Sequence, residues 1–342
     1  MSELTFEQML DESFKTIHNG EVVDGTVIDV KPDEIILNIG YKADGIITRS
    51  EYTNDNSVDL TTVVSVGDPM TVKVLKVNDG EGQVLLTYKR LVAEKGNERL
   101  KEAVMEDIIL MSYVGINIVV VHGGGPEINK MLDRLKIQSE FVNGLRYTDE
   151  DTMEVVEMVL AGKVNKELVL KINERGGKAV GLCGIDGNML ICEPTKEDLG
   201  YVGKIVEVNP EIIKDNLDAG YISMIATVGA DREGNIYNVN GDIAGSAIAG
   251  ALKAEKYILL TDVPGLLEEP SMDESLISHV YKEDLPILFE NGTITGGMIP
   301  KINSCIDALN QGVKKVHILD GRVRHSIITE LFTDAGVGTL ID

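Results

Sequence analysis

Ile118-Val119-Val120-Val121-His122-Gly123-Gly124-Gly125-Pro126-Glu127-Ile128-Asn129 is the stretch on which the fold turns. An apolar strand runs into three glycines and then into a helix. Glycines let backbone amides approach an anion at a helix N-terminus, where the dipole adds its own attraction. Alone, the same glycines equally suit a tight strand-to-helix turn. The surrounding order has to separate the two readings.

Working outward, short apolar strands alternate with helices: Ile116–Val121, Ala179–Leu182, Tyr221–Ala226, Tyr257–Leu260 and Lys315–Ile318. That alternation predicts an α/β class, a mostly parallel sheet sandwiched by helices. Upstream, Leu100, Val104, Ile108 and Met111 recur at three- and four-residue steps, so Leu91–Tyr113 reads as an amphipathic helix. Between Gly20 and Arg90 the pattern changes again. Glu21–Val30, Glu34–Ile39, Ala43–Ile47, Met70–Val77 and Gln83–Tyr88 each suit a short strand, with turns at Lys31-Pro32-Asp33 and Asn78-Asp79-Gly80. Five such strands predict a small OB-type β-barrel. The expected division is a barrel with an N-terminal helix over 1–95 and an α/β domain over 96–342.

A chain of 342 residues with 43% hydrophobic content and 35 glycines fits two folded domains rather than a disordered chain. No run approaches the ~18 apolar residues of a membrane span. The start, Met-Ser-Glu-Leu-Thr-Phe-Glu-Gln, lacks the basic and apolar regions of a signal peptide, so a cytoplasmic protein without membrane contact is expected. Cys183, Cys192 and Cys305 are scattered and odd in number, which argues against a disulfide framework or a zinc site; no metal ligands are predicted. Net charge is −24, and residues 1–100 already carry 18 Asp+Glu against 10 Lys+Arg. Such a surface disfavours non-specific nucleic-acid binding unless charge is locally segregated.

Gly20-Glu21-Val22-Val23-Asp24-Gly25-Thr26-Val27, Gly40-Tyr41-Lys42-Ala43-Asp44-Gly45-Ile46-Ile47 and Leu85-Leu86-Thr87-Tyr88-Lys89-Arg90 resemble the S-one RNA-binding repeat of ribosomal proteins. Binding a single strand needs exposed aromatics in a positive groove. Tyr41 and Tyr52 are the candidates, with Lys42, Arg49, Lys73 and Lys76 around them. The family's histidine after the Gly-Ile strand is replaced by Thr48-Arg49. RNA or ribosome contact and a docking or inert role both stay open.

From Lys101 to Asp342, five motifs stand in one order: HGGGPEIN at 122–129, NGLRYTD at 143–149, YNVNGD at 237–242, LTDVPG at 260–265 and ITGGMIPK at 294–301. Together they resemble the amino-acid kinase superfamily, specifically N-acetylglutamate kinase. The resemblance implies ATP with Mg2+ as cofactor and phosphorylation of the side-chain carboxylate of N-acetyl-L-glutamate, in arginine biosynthesis. Gly124 and Gly125 would present amides to the substrate carboxylate and its transferring phosphoryl group. Arg146 would pair with a substrate carboxylate, to which a planar fork is suited, and Asn238 would hold the other polar end. Asp242 would orient Lys301, which would neutralise the departing phosphate. Asp262, Val263, Gly265, Leu266 and Leu267, with Thr293, Ile294, Thr295 and Met298, would line the nucleotide pocket. Read residue by residue, Asp242 equally suits capping a helix near Ile243. Lys301 equally suits a solvated helix position, and Asp262 with Gly265 a βα turn. His18, His279 and His317 have no motif around them.

The same resemblance exposes an absence. The family opens with a strand ending in Lys-x-Gly-Gly, which binds the nucleotide phosphates opposite Lys301. No such tetrapeptide occurs here; Leu91–Leu100 stands upstream of Lys101 instead. Phosphoryl transfer rests on positioning and charge stabilisation, so both activity and the sheet would be impaired. Three functional classes follow: an acetylglutamate kinase with lowered activity, an inactive kinase-fold binding module with an RNA-contacting barrel, or a fusion of two reading frames. The tail His325–Thr339 is similar to that of arginine-inhibited members, with Glu330 and Gly336 beside an L-arginine effector. Those members use an extra N-terminal helix for effector binding and ring hexamers; with a barrel in that place, a homodimer with arginine response weakened or lost is expected.

Overall fold

The computed structural model describes residues 16–55, 57–77, 82–142, 145–196, 198–269, 272–333 and 336–342. The expected N-terminal helix and the turn at Asn78-Asp79-Gly80 lie outside them. The chain divides into two compact units at Arg99/Leu100.

In the first unit, β1 (Val22–Val30), β2 (Glu34–Asn38), β3 (Gly45–Thr48), β4 (Pro69–Lys76) and β5 (Val84–Thr87) close into a barrel in the order β1-β2-β3-β5-β4. Strand periodicity places Ile35 and Leu37 of β2 inward and their neighbours outward. They meet Val27, Ile47, Leu60, Val72, Val74, Val84 and Leu86 in one core. A register shift between Val27 and Asp29 lets β1 pair with β4 along its first half and β2 along its second. Tyr52 and Tyr88 stack at 5.2 Å, with Tyr52 and Tyr41 packed against the barrel core. Lys73 is paired with Glu94 at 2.6 Å, and Arg49 donates to the Pro32 carbonyl at 2.8 Å, so two of the candidate RNA-facing cations are engaged internally.

Helix α1 (Lys89–Tyr113) carries the chain through the expected boundary without a break. Its buried residues are Leu91, Ala103, Met105, Asp107, Ile108, Ile109 and Met111, a wider surface than the predicted stripe, in which Leu100 and Val104 are only half-buried. The second unit continues through β6 (Val119–His122), α2 (Gly125–Leu135), α3 (Glu150–Glu157), a π-helical segment Met158–Val164 and α4 (Asn165–Glu174). Next come β7 (Ala179–Cys183), β8 (Leu190–Pro194), β9 (Gly203–Val208), α5 (Glu211–Asp218), β10 (Ile222–Ala226), β11 (Val228–Ala230) and β12 (Ile236–Asn238). The remainder is α6 (Gly241–Leu252), β13 (Lys256–Thr261), β14 (His279–Val280), α7 (Leu285–Glu290), α8 (Met298–Asn310), β15 (Lys315–Asp320), α9 (Ser326–Phe332) and β16 (Thr339–Ile341).

The strands of this unit sort into separate sheets, not one. β6-β10-β7 is wholly parallel; β13-β15-β16-β14 is mixed; β9-β8-β11-β12 is mostly antiparallel. β6 and β13 are edges, each hydrogen-bonded along one side among the described residues. A closed barrel has no edge, whereas an open strand leaves backbone donors and acceptors to water. The α/β unit is therefore expected to unfold before the barrel. Calorimetry with hydrogen-exchange mass spectrometry checks this: the lower transition should coincide with loss of protection in 100–342, and one joint transition would refute it.

Candidate functional site

The glycine loop sits where β6 ends and α2 begins. A buried amide fixes its start. Asn165 Nδ2 lies 3.0 Å from His122 Nε2, 2.9 Å from the Met224 carbonyl and 3.2 Å from that of Leu182, so one side chain links β6, β10 and β7. Because an amide nitrogen only donates, Nε2 of His122 accepts, and its Nδ1–H donates to the Gly123 carbonyl at 3.0 Å. Burial holds the His122 pKa below its usual value, which keeps the ring neutral.

The glycines differ in what they allow. A Cβ on Gly124 would lie 2.7 Å from Leu160 and 3.2 Å from Val164, both in the π-helical segment, so packing requires glycine there. A Cβ on Gly125 would meet nothing, and the first turn of α2 stays open to an approaching ligand. Hydrogen bonds from Lys130 and Lys163 hold the Glu127 carboxyl down to about 2; Lys163 thereby ties the π-helical segment to α2. Neither Asn165 nor the π-helical segment is evident from motif reading, although Gly162-Lys163-Val164-Asn165 marks the place.

A second helix N-terminus faces this loop: a Cβ on Gly241 would lie 4.0 Å from the Gly123 amide nitrogen. Asn240, not Asp242, caps α6, its Oδ1 accepting from the amides of Asp242 at 2.9 Å and Ile243 at 3.2 Å. The Asp242 carboxylate is left to accept from Lys301 Nζ at 3.2 Å, out of the first turn of α8. Sequence separates these two by a long stretch; the fold makes them partners.

Arg146 and Asn238 are joined through Thr148. The Thr148 hydroxyl donates to the Arg146 carbonyl at 3.0 Å and accepts from Asn238 Nδ2 at 3.3 Å. The Arg146 guanidinium is buried, donates to Ser139 and to Asn129 Oδ1 at 2.6 Å, and lies 4.6 Å from the Phe141 ring centroid. Burial lowers its pKa, and among the described residues no carboxylate is paired with it. A buried cation held only by neutral groups favours an incoming anion. An open groove of about 670 Å³ runs past its partners Asn129, Ser139 and Phe141. Asn143 and Gly144 of the same motif fall outside the described residues.

The nucleotide candidates form a third group. Leu266, Ile294 and Met298 share one core cluster, with Leu266 and Ile294 fully inside it. Those two can offer a ligand only backbone. Asp262 and Thr295 are exposed, Val263, Leu267 and Thr293 half-buried. Gly265 has φ +154, and a Cβ there would lie 2.6 Å from Thr339 Oγ1, which also accepts from the Leu266 amide at 2.8 Å.

Residues 90–320 match the Amino acid kinase family, and residues 16–89 match the S1 RNA binding domain. The Acetylglutamate kinase of Clostridioides difficile (strain 630) is 68% identical over 243 residues, covering 71% of this chain and 85% of that protein. Among solved structures, N-acetylglutamate synthase from Neisseria gonorrhoeae, complexed with coenzyme A and N-acetyl-glutamate, superposes with TM-score 0.63 at 27% identity over 71% of this chain. The same synthase with coenzyme A and L-arginine gives TM-score 0.60 at 26% identity, also over 71% of this chain. This chain spans 55% and 57% of the two synthase chains, little more than half their length. The family match covers most of the chain, and a relative of that identity is spanned over most of its own length: the chain belongs to the amino acid kinase family, alongside the acetylglutamate kinases.

Proposed function

We propose that the protein catalyses ATP-dependent phosphorylation of N-acetyl-L-glutamate to N-acetyl-L-glutamyl 5-phosphate, the acetylglutamate kinase step of arginine biosynthesis. The observation that carries the reading is the Lys301–Asp242 pair at 3.2 Å, bridging the first turns of α6 and α8 beside the triple-glycine loop. A lysine held by a carboxylate at two helix N-termini suits developing phosphate charge. In the proposed reaction a side-chain carboxylate oxygen of the substrate attacks the γ-phosphorus in line. The bond to the β–γ bridging oxygen breaks, and ADP carries away its electron pair. Gly124 and Gly125 amides would meet the transferring group, Arg146 a substrate carboxylate, Asn238 the opposite polar end. Asp262 to Leu267, with Thr293 to Thr295 and Met298, would hold the nucleotide. Magnesium would come bound to the ATP phosphates, and no protein ligand is assigned to it.

Turnover is proposed to be low, because the phosphates would be neutralised from the Lys301 side alone. Substrate binding should survive better than chemistry, since Gly124, Gly125, Arg146 and Asn238, the groups proposed to hold acetylglutamate, are all present in the sequence. The adjacency of Gly336 to Glu330, with a Cβ position 3.7 Å from Glu330 Oε2, supports an L-arginine effector position at the tail. A homodimer, a cytoplasmic location and a weak RNA or ribosome contact through the barrel belong to the same proposal. Among the described residues no helix is long and apolar enough to cross a membrane.

Lys301→Ala should lower kcat at least 10²–10³-fold, the order expected for a lost charge-stabilising donor, with KM for acetylglutamate little changed. Steady-state assay of purified protein with ATP, magnesium and acetylglutamate tests this; equal turnover in variant and parent would remove Lys301 from the mechanism. Arg146→Ala should instead weaken acetylglutamate binding about 10–100-fold by calorimetry, and Arg146→Lys, which keeps charge but loses the fork, should recover only part. Unaltered affinity in both variants on folded protein would refute the carboxylate assignment.

A further inference from the structure

His122 stands between a buried amide and the glycine loop, and its two ring nitrogens meet opposite kinds of partner. The amide behind it has a fixed orientation. Lys166 Nζ, which can only donate, lies 3.1 Å from Asn165 Oδ1, while Nδ2 faces the Met224 and Leu182 carbonyls, which can only accept. Exchanging oxygen and nitrogen in that amide would set donor against donor and acceptor against acceptor. β7 makes room for the arrangement at Gly181, where a Cβ would collide with Asn165 Oδ1 and lie 2.7 Å from Lys166 Nζ. With Nδ2 presented to it, His122 Nε2 has to accept, so the ring proton sits on Nδ1, 3.0 Å from the Gly123 carbonyl. A proton on Nε2 would point at the Asn165 donor. Burial disfavours the charged ring, and the Lys166 ammonium opposes it too. The imidazole is a neutral donor of fixed direction.

The Gly123 carbonyl is one end of the Gly123–Gly124 peptide. Both flanking residues lack Cβ, so this plane can turn over at little steric cost and present a carbonyl in place of an N–H. Among the described residues the His122 Nδ1–H makes the one hydrogen bond to that carbonyl, and the Gly124 amide donates to no protein acceptor. In a trans peptide the C=O and N–H point in opposite directions. A carbonyl held against the imidazole therefore turns the Gly124 N–H away from the ring. Leu160 and Val164 close off the side on which a Gly124 Cβ would lie. We infer that His122 is a positioning residue for phosphoryl transfer: its Nδ1–H locks the Gly123–Gly124 peptide with the Gly124 N–H turned to the transferring group, and Asn165 keeps the ring in the tautomer that does so. The inference rests on the proposed kinase reading. A flipped peptide would aim a carbonyl at the phosphoryl oxygens, so the lock matters most where negative charge builds up and little for ground-state binding of acetylglutamate. The bonds from Asn165 to His122 and from His122 to Gly123 also polarise one another, which strengthens the Gly124 N–H as a donor.

Two substitutions separate positioning from packing, because asparagine places its amide near the Nδ1 position of histidine and glutamine near Nε2. His122→Asn keeps a donor for the Gly123 carbonyl and gives up the contact with Asn165; His122→Gln does the reverse. In His122→Gln, kcat should fall about 10–100-fold with KM for acetylglutamate changed by less than about two-fold, and His122→Asn should recover most of that loss. A histidine that only satisfied Asn165 would give the opposite order. The second readout needs no turnover. In protein labelled with carbonyl-13C and amide-15N glycine, carbonyl-edited NMR shows only amides that follow a glycine. Inorganic phosphate should shift the Gly124 amide in the parent and in His122→Asn, and leave it in place in His122→Gln. Parent-like kcat in the glutamine variant, a loss confined to KM, equal losses in the two variants, or the same phosphate response of Gly124 in parent and His122→Gln would overturn the inference. A parent without turnover would refute the kinase reading instead, and the phosphate shifts would still decide the role of His122.

Discussion

One buried amide holds the centre of the α/β unit together. Asn165 Nδ2 shares its two protons among the Met224 and Leu182 carbonyls and His122 Nε2, which belong to three neighbouring parallel strands. Removing it would orphan buried acceptors at a cost of about 1–3 kcal/mol. The amide also sets the His122 tautomer, and through it the direction in which the chain leaves β6 toward the glycines. The glycine loop is thus aimed by a hydrogen-bond network from behind, while the π-helical segment presses on Gly124 from the side. A loop gripped this way gives up its anion-facing amides without rearrangement, which is what an electrostatic site requires.

The same end of the sheet collects charge from distant parts of the chain. Asp242 reaches Lys301 because Asn240 takes over the capping of α6. Arg146 remains buried without a carboxylate because Ser139, Asn129 and Phe141 hold it. Each cation is fixed by a neighbour that does not need to move when an anion arrives. The second buried acidic partnership, His317 with Glu330 at 2.9 Å, lies apart from these groups, and its Glu330 also accepts from the Val337 amide at 2.8 Å. Asp107 and His325, 2.6 Å apart, tie α1 to the start of α9, where His325 adopts a left-handed φ of +57. The tail is therefore anchored by two separate histidine–carboxylate contacts, one to β15 and one to α1.

The two units solve the sheet-edge problem in opposite ways. The barrel closes upon itself by bending β1 at a register shift, so every strand has two partners. The α/β unit keeps β6 and β13 as open edges, whose free backbone groups are left to water.

Local pattern was enough for the elements. Alternation predicted the five barrel strands, and the apolar runs predicted β6, β7, β10, β13 and β15 within a few residues, because strand burial has period two and leaves its mark in neighbouring positions. Five motifs in order were enough for the family. Three things were decided only in three dimensions. Asp242 could cap or pair until Asn240 was seen to cap. Asp107 belongs to no motif, yet it is buried against His325, which lies far along the chain. Asn165 carried no motif at all, since its three acceptors come from three strands that meet only in the folded sheet. Sequence records a residue's own periodicity; it does not record which distant carbonyl its side chain will find.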